Sequence, residues 1–128
     1  MRVLDNLVPA KVFYYFEELC NIPHGSTNTK AISDYCVNFA KERGLAYHQD
    51  AENNIIILKN GSKGYEDSKP VIIQGHLDMV CEKEADCTID FEKDGLSLAI
   101  DGDYIYAEGT TLGGDDGIAV AMALAILD

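Results

Sequence analysis

The chain has 128 residues, of which 47% are hydrophobic, and this is enough to bury the core of one ordinary domain. Its 22 acidic and 10 basic side chains give a formal net charge of -12. Because this charge repels phosphate backbones and anionic lipid surfaces, neither a nucleic-acid partner nor a membrane partner is expected.

The first part of the chain predicts two amphipathic helices. Apolar residues recur at helical spacing over residues 9–19, which begin with a proline suited to a first turn. A second helix is expected from about residue 28 to residue 43. Ser26 or Thr27 is its expected N-terminal cap, and Gly44 is its expected stop.

The middle of the chain predicts strands. Residues 45–48 favour a short strand, and the β-branched run 54–58 is typical of a strand covered on both faces, with residues 71–74 as its expected partner. The polar segment 60–69 between them is expected to be an exposed loop. Residues 96–106 alternate around an Asp-Gly pair and predict a β-hairpin.

The last predicted element is a helix over residues 118–127. It is apolar at every position, so it is expected to be covered on all sides. Since the sequence stops one residue later, at Asp128, little of it remains to supply that cover. We therefore expect this chain to be a piece of a longer α/β protein.

The cysteines and the N-terminus indicate a cytoplasmic protein. The 4 cysteines, Cys20, Cys36, Cys81 and Cys87, have neither Cys-x-x-Cys spacing nor the density of a secreted disulfide scaffold. Packing roles are expected for Cys20, Cys36 and Cys81. No signal peptide is evident, and no segment reaches the ~20 apolar residues of a membrane span.

A histidine and a carboxylate stand two residues apart after the apolar run 71–73. These are His76 and Asp78, and side chains at such spacing share one face of a strand. His76 can offer one ring nitrogen to a metal while Asp78 orients the ring. The other histidines, His24 in a Pro-Gly turn and His48 in a short strand, are expected to be structural.

A second acidic motif, Gly-Gly-Asp-Asp-Gly, occupies residues 113–117. Asp115 has two carboxylate oxygens and could bridge two metal ions about 3.5–4 Å apart, as two-metal hydrolases require. A phosphate loop would need a Gly-Lys-Ser/Thr ending, which is absent from this motif. Because ligand sites in open α/β sheets lie beyond the carboxyl ends of strands, both motifs are expected to lie at one site.

Residues 75–83 and 109–118, with the hairpin turn at residues 101–103 between them, resemble the N-terminal part of the aminoacyl-histidine dipeptidases. These belong to the aminoacylase-like family of dinuclear zinc exopeptidases. The resemblance covers essentially the whole chain. It implies that residues 1–128 form the N-terminal part of a three-layer α/β/α catalytic domain with a mixed sheet, without the lid or dimerisation domain.

The resemblance also implies roles for particular residues. His76 would bind one zinc ion, Asp115 would bridge two, and Asp78 would act from behind His76 in catalysis. A cis peptide bond is implied between Asp115 and Asp116. The chain departs from the usual family pattern at Gly114 and Asp116, where alanine and asparagine are common, and neither change removes a ligand.

For the full-length protein the resemblance implies zinc-dependent hydrolysis of dipeptides, including Xaa-His, by a cytoplasmic homodimer. The general base and the remaining ligands would lie beyond residue 128. The chain alone is therefore expected to be inactive and to bind zinc, or another divalent metal, weakly or not at all. Two alternatives stay open: a non-catalytic α/β binding module or degenerate relative, and an N-acyl amino acid deacylase on the same scaffold.

Overall fold

A computed structural model describes residues 2–128. Its helices are α1 (Ala10–Cys20), α2 (Lys30–Glu42) and α3 (Gly114–Leu127). Its strands are β1 (Ala46–Gln49), β2 (Ile55–Leu58), β3 (Leu98–Asp101) and β4 (Tyr104–Ala107). β1 pairs with β2 and β3 pairs with β4, both antiparallel, so the predicted hairpin is confirmed.

The two N-terminal helices form where predicted, but the cap expected for α2 is wrong. α2 begins after Thr29, which makes no side-chain capping hydrogen bond. The Ser26 hydroxyl instead donates to the distant Met79 carbonyl at 3.4 Å. Gly44 ends the helix as predicted, in a left-handed conformation with a φ of 63°.

Gly44→Ala is expected to destabilise the fold by about 1–2 kcal/mol, the cost of placing a Cβ in the left-handed region. A Cβ at Gly44 would meet nothing within 4 Å, so the loss is purely conformational. Urea denaturation measures it. Gly44→Asn is the matched control and should lose less, because asparagine tolerates this conformation. Equal losses in both variants would contradict this account of the helix end.

The predicted pairing of residues 54–58 with residues 71–74 is wrong. The Asp50 carboxylate accepts hydrogen bonds from the amides of Glu52 and Asn54, each at 2.9 Å, and this tight turn folds β2 back onto β1. A cavity of about 650 Å³ lies between β2 and residues 73–78. β2 is consequently half-exposed rather than covered on both faces.

The mixed sheet expected from the resemblance is not seen in residues 2–128. Both sheets of this part of the chain are antiparallel and two-stranded. Parallel pairing is limited to an isolated bridge between Gly25 and Met79, in which the Met79 amide donates to the His24 carbonyl at 3.0 Å. The bridge brings the loop before α2 alongside the His76 motif.

The core lies where α1 packs on α3. Phe16 and Leu19 of α1 are buried together with Val120 and Leu124 of α3. A Cβ at Gly117 would lie 3.3 Å from the Phe16 ring, so the glycine lets the two helices approach closely. The outer apolar face of α3, with Met122 and Ile126, stays exposed, so the described residues do not supply the cover that such a helix needs.

The end of α3 is held by charged side chains from the other helices. The Asp128 carboxylate accepts a hydrogen bond from Arg43 Nε at 2.6 Å and pairs with Lys11 Nζ at 2.9 Å. Lys11 and Arg43 together lower the pKa of Asp128 to about 2. The negative charge therefore joins α3 to both α1 and α2.

No helix of residues 2–128 has the length and apolar character to cross a bilayer.

Candidate metal centre

The two sequence motifs meet because they pair as neighbouring extended segments. The Thr111 amide donates to the Glu82 carbonyl at 2.9 Å, and the Glu84 amide donates to the Gly109 carbonyl at 2.8 Å. The Thr111 hydroxyl also donates to the Val80 carbonyl at 2.7 Å. This pairing fixes the first turn of α3 beside the His76 motif.

The His76 ring lies between two carboxylates. Its Nε2 is 3.1 Å from Oδ1 of Asp115, and its Nδ1 is 3.0 Å from Oδ1 of Asp78. The Asp115 side chain is 95% exposed and the His76 side chain 49% exposed. The structure thus brings the three candidate residues together at the surface, and their roles in metal binding and catalysis stay predictions.

The hydrogen bonds of the site favour the charged forms of its side chains. The hydrogen bond to Asp115 is the largest cause of the raised pKa of His76, and contacts with Asp78 act in the same direction. The neighbouring Ser26 side chain is the largest cause of the lowered pKa of Asp78. Asp78 is therefore an anion at neutral pH and an acceptor for the Nδ1 proton of His76.

Two residues of the site were missed by the sequence patterns. Ser26, predicted as a helix cap, lies beside Asp78. Asp116 accepts a hydrogen bond from the His76 amide at its Oδ2 atom, at 3.3 Å. Neither contact leaves a local signal, because each joins segments far apart in the sequence. The peptide bond between Asp115 and Asp116 is cis, which confirms the expectation from the resemblance.

The donor atoms suit a metal ion, but they are few. Imidazole nitrogen and carboxylate oxygen are both ligands that zinc accepts. Within residues 2–128, no group of three or more His, Cys, Asp or Glu side chains is placed to hold a metal ion. If the predicted ligand roles hold, His76 and Asp115 would supply only part of a ligand set.

The remaining histidines lie in different surroundings. His48 is exposed on β1. His24 is buried, with 5% of its surface exposed, and its Nδ1 lies 2.6 Å from the Ile22 carbonyl oxygen. Burial is the main cause of the lowered pKa of His24, opposed by the hydrogen bond to Ile22 and by the charge of Asp78. The fold therefore favours the neutral ring.

Lowering the pH is expected to destabilise the fold through His24. In the unfolded chain the His24 ring is protonated near pH ~6.5, whereas in the folded chain its pKa is lower. The free energy of unfolding therefore decreases as the pH falls from about 6.5 towards the pKa of the folded state. His76 acts in the opposite direction because its folded pKa is raised. Comparing His24→Gln with the unchanged chain cancels the His76 contribution.

Urea midpoints measured from about pH 7.5 to about pH 5 test this linkage. The His24→Gln chain should lose less stability across this range than the unchanged chain. Parallel curves would show that burial of His24 does not couple folding to protonation.

The cysteines lie apart from metal chemistry in the described residues. All four are free thiols. Cys20 and Cys36 are buried, and burial raises the pKa of each to about 12, which keeps the thiols protonated. The packing roles expected for these two are confirmed by their burial.

Comparison with known proteins relates the chain to dipeptidases. No family model matches it. It is 43% identical over 127 residues to the cytosol non-specific dipeptidase of Escherichia coli strain K12, covering 99% of this chain and 26% of that protein. The crystal structure of aminoacylhistidine dipeptidase from Vibrio alginolyticus matches with a TM-score of 0.93 and 40% identity.

The structural match covers 97% of this chain and 25% of that chain. The predicted α/β fold class is confirmed by this match. The chain spans about a quarter of the length of the two dipeptidases. In sequence the chain is similar to the first of these dipeptidases, and in fold to the second, over about a quarter of the length of each.

Proposed function

We propose that this chain is the N-terminal part of the catalytic domain of a metal-dependent dipeptidase and supplies two ligands of a dinuclear zinc site. The proposal is carried by the approach of His76 Nε2 to Asp115 Oδ1, at 3.1 Å, on an exposed edge of the fold. An imidazole nitrogen and a carboxylate oxygen so close together can share a cation. The similarity to two dipeptidases supports the same reading.

His76 would be a ligand of one zinc ion, and the Asp115 carboxylate would be a ligand shared by both. Their exposure leaves room for ligands from other parts of a longer protein. When bound, zinc lowers the pKa of a coordinated water and polarises the scissile carbonyl. The donor set would also accept other divalent transition metals, so zinc is proposed on the family resemblance.

Asp78 would act by positioning His76. Its carboxylate lies 3.0 Å from Nδ1 and can accept the Nδ1 proton, which leaves Nε2 as the ring atom that would bind a metal ion. The backbone carbonyl of Asp78, also 3.0 Å from Nδ1, supports the same tautomer. Ser26 in turn holds the Asp78 carboxylate in its charged form.

Asp78→Ala is expected to weaken zinc binding by about 10–100-fold, the usual cost of removing a carboxylate behind a metal-bound histidine. Isothermal titration with zinc chloride measures the change in a protein that carries the whole site. Asp86→Ala is the matched control, because it removes an exposed carboxylate elsewhere on the surface. Equal affinities for Asp78→Ala and the unchanged protein would remove Asp78 from the site.

The substrate class proposed for the whole protein is dipeptides, including those with C-terminal histidine. One relative is named a non-specific dipeptidase and the other an aminoacylhistidine dipeptidase. The relative from Escherichia coli is named a cytosol dipeptidase, and the cysteines of this chain lack the pattern of a secreted protein. We propose a cytoplasmic location on these two observations. The resemblance is the basis for proposing a homodimer. The net charge of -12 of this chain argues against a nucleic-acid partner.

A hydrolysis assay tests the proposal. Xaa-His and other dipeptides are supplied to the chain alone and to a protein in which the chain is joined to the rest of a dipeptidase catalytic domain. We expect turnover by the longer protein that a chelator removes and zinc restores, and none by the chain alone. Hydrolysis that a chelator leaves unchanged would contradict a metal mechanism, and N-acyl amino acids as better substrates would favour a deacylase.

A further inference from the structure

One hydrogen bond at the site joins the backbone of His76 to the side chain of the residue that follows Asp115. Asp116 Oδ2 accepts it from the His76 amide at 3.3 Å, across 40 positions of sequence. Asp116 directly follows Asp115 at the start of α3. The contact therefore ties the backbone of one candidate ligand to the neighbour of the other.

Gly75 provides the space for this contact. A Cβ at position 75 would lie 2.8 Å from Asp116 Oδ2 and 3.3 Å from Val120 Cγ2. Both distances are shorter than the ~3.5–4.0 Å of ordinary non-bonded carbon contacts. Gly75 is not among the glycines with positive φ, so its role is to leave room and not to adopt a left-handed backbone.

These two observations describe a close fit between the His76 segment and the first turn of α3. The Asp116 carboxylate fills the position that a side chain at 75 would take. Since the His76 side chain leaves the same short segment, its ring position depends on how this backbone is held. Metal sites need their ligands within about 0.5 Å of the productive geometry, and packed supporting residues provide this.

We propose that Asp116 is a positioning residue, which holds the His76 backbone against α3 so that Nε2 stays beside Asp115. The role rests on the proposed metal function, because an ion shared by the ring and the carboxylate needs a fixed separation between them. Gly75 is also needed for this contact, because any larger residue at position 75 would displace the Asp116 carboxylate.

Four variants separate positioning from charge. Asp116→Ala removes the acceptor, Asp116→Asn keeps an oxygen acceptor without the charge, and Gly75→Ala leaves Asp116 in the chain but pushes its carboxylate away. Asp86→Ala removes an exposed negative charge elsewhere and is the control. Far-UV circular dichroism checks that each variant has the fold of the unchanged chain.

Two NMR readouts follow. The metal-free readout is the nuclear Overhauser effect between the His76 ring and the Asp115 Hβ protons. The second is a zinc chloride titration of a protein that carries the whole site, followed on the His76 ring signals. We expect Asp116→Ala and Gly75→Ala to lose the Overhauser effect and to weaken zinc binding by at least ~10-fold. Asp116→Asn should keep the effect and lose less affinity, and Asp86→Ala should match the unchanged chain.

The two proposals fail in different ways. If Asp116→Ala retains the Overhauser effect, the positioning role is overturned, whatever the zinc affinity. If Asp116→Asn loses the Overhauser effect as completely as Asp116→Ala, the negative charge of Asp116 and not its hydrogen bond holds the His76 ring. That result would also overturn the proposed positioning role. If His76→Ala and Asp115→Ala leave the zinc affinity unchanged, the metal proposal fails, while the metal-free readout still decides the role of Asp116.

Discussion

Asp115→Asn is expected to abolish metal-dependent dipeptide hydrolysis in a protein that carries this chain within a whole catalytic domain. The amide keeps the shape of the side chain but loses the charge and one of the two carboxylate oxygens. Removing a supporting residue from a metal site costs about 10–100-fold, so removing a bridging ligand should cost more than ~100-fold. The measurement is kcat/KM for a dipeptide at saturating zinc.

The fold should survive this substitution, because the Asp115 side chain is 95% exposed. Asp86→Asn, which also neutralises an exposed carboxylate, should keep the full kcat/KM. An Asp115→Asn protein with near-normal hydrolysis would show that the carboxylate does not hold the metals. Loss of activity in both variants would point to net charge and not to the site.

Phe16→Ala is expected to have the largest effect on stability, a loss of about 3–5 kcal/mol. The ring is buried and reaches over Gly117, so its removal leaves a cavity between α1 and α3. Domains of this kind are stable by only about 5–15 kcal/mol in total. The midpoint of urea denaturation should therefore fall sharply, or the chain should unfold.

Ile126→Ala is the matched control because it removes an apolar side chain from the exposed face of the same helix. Its expected effect is within about 0.5 kcal/mol. If both variants lost similar stability, the face of α3 that turns away from α1 would also be part of a core, contrary to the structure. A loss below about 1 kcal/mol for Phe16→Ala would mean that the ring is not packed.

The elements that the sequence predicts well are those whose signals are local. Helical spacing before Cys20 and the left-handed glycine at Gly44 act within a few residues, and so does the Asp-Gly turn of the hairpin. The cap of α2 was misassigned because Ser26 bonds to Met79, 53 positions away. The partner of β2 was wrong because the turn at Asp50 decides the pairing, and hydrophobicity alone does not reveal it.

The candidate site divides in the same way. The pairing of His76 with Asp78 follows from their spacing, since alternate residues of an extended segment share one face. The approach of Asp115 follows from the bonds of Thr111 to the other motif. The expectation that both motifs lie beyond strand ends predicted this approach, but spacing alone could not. The contact of Asp116 with a backbone amide has no sequence pattern at all.

The central claim is that His76 and Asp115 hold a metal ion together. Crystals of a whole catalytic domain that carries this chain, grown with zinc chloride and measured at the zinc absorption edge, test it directly. We expect an anomalous difference peak that lies at bonding distance, about 2.0–2.2 Å, from both His76 Nε2 and an Asp115 carboxylate oxygen. Zinc bound only at other residues, with these two atoms still in mutual contact and free of metal, would contradict the account.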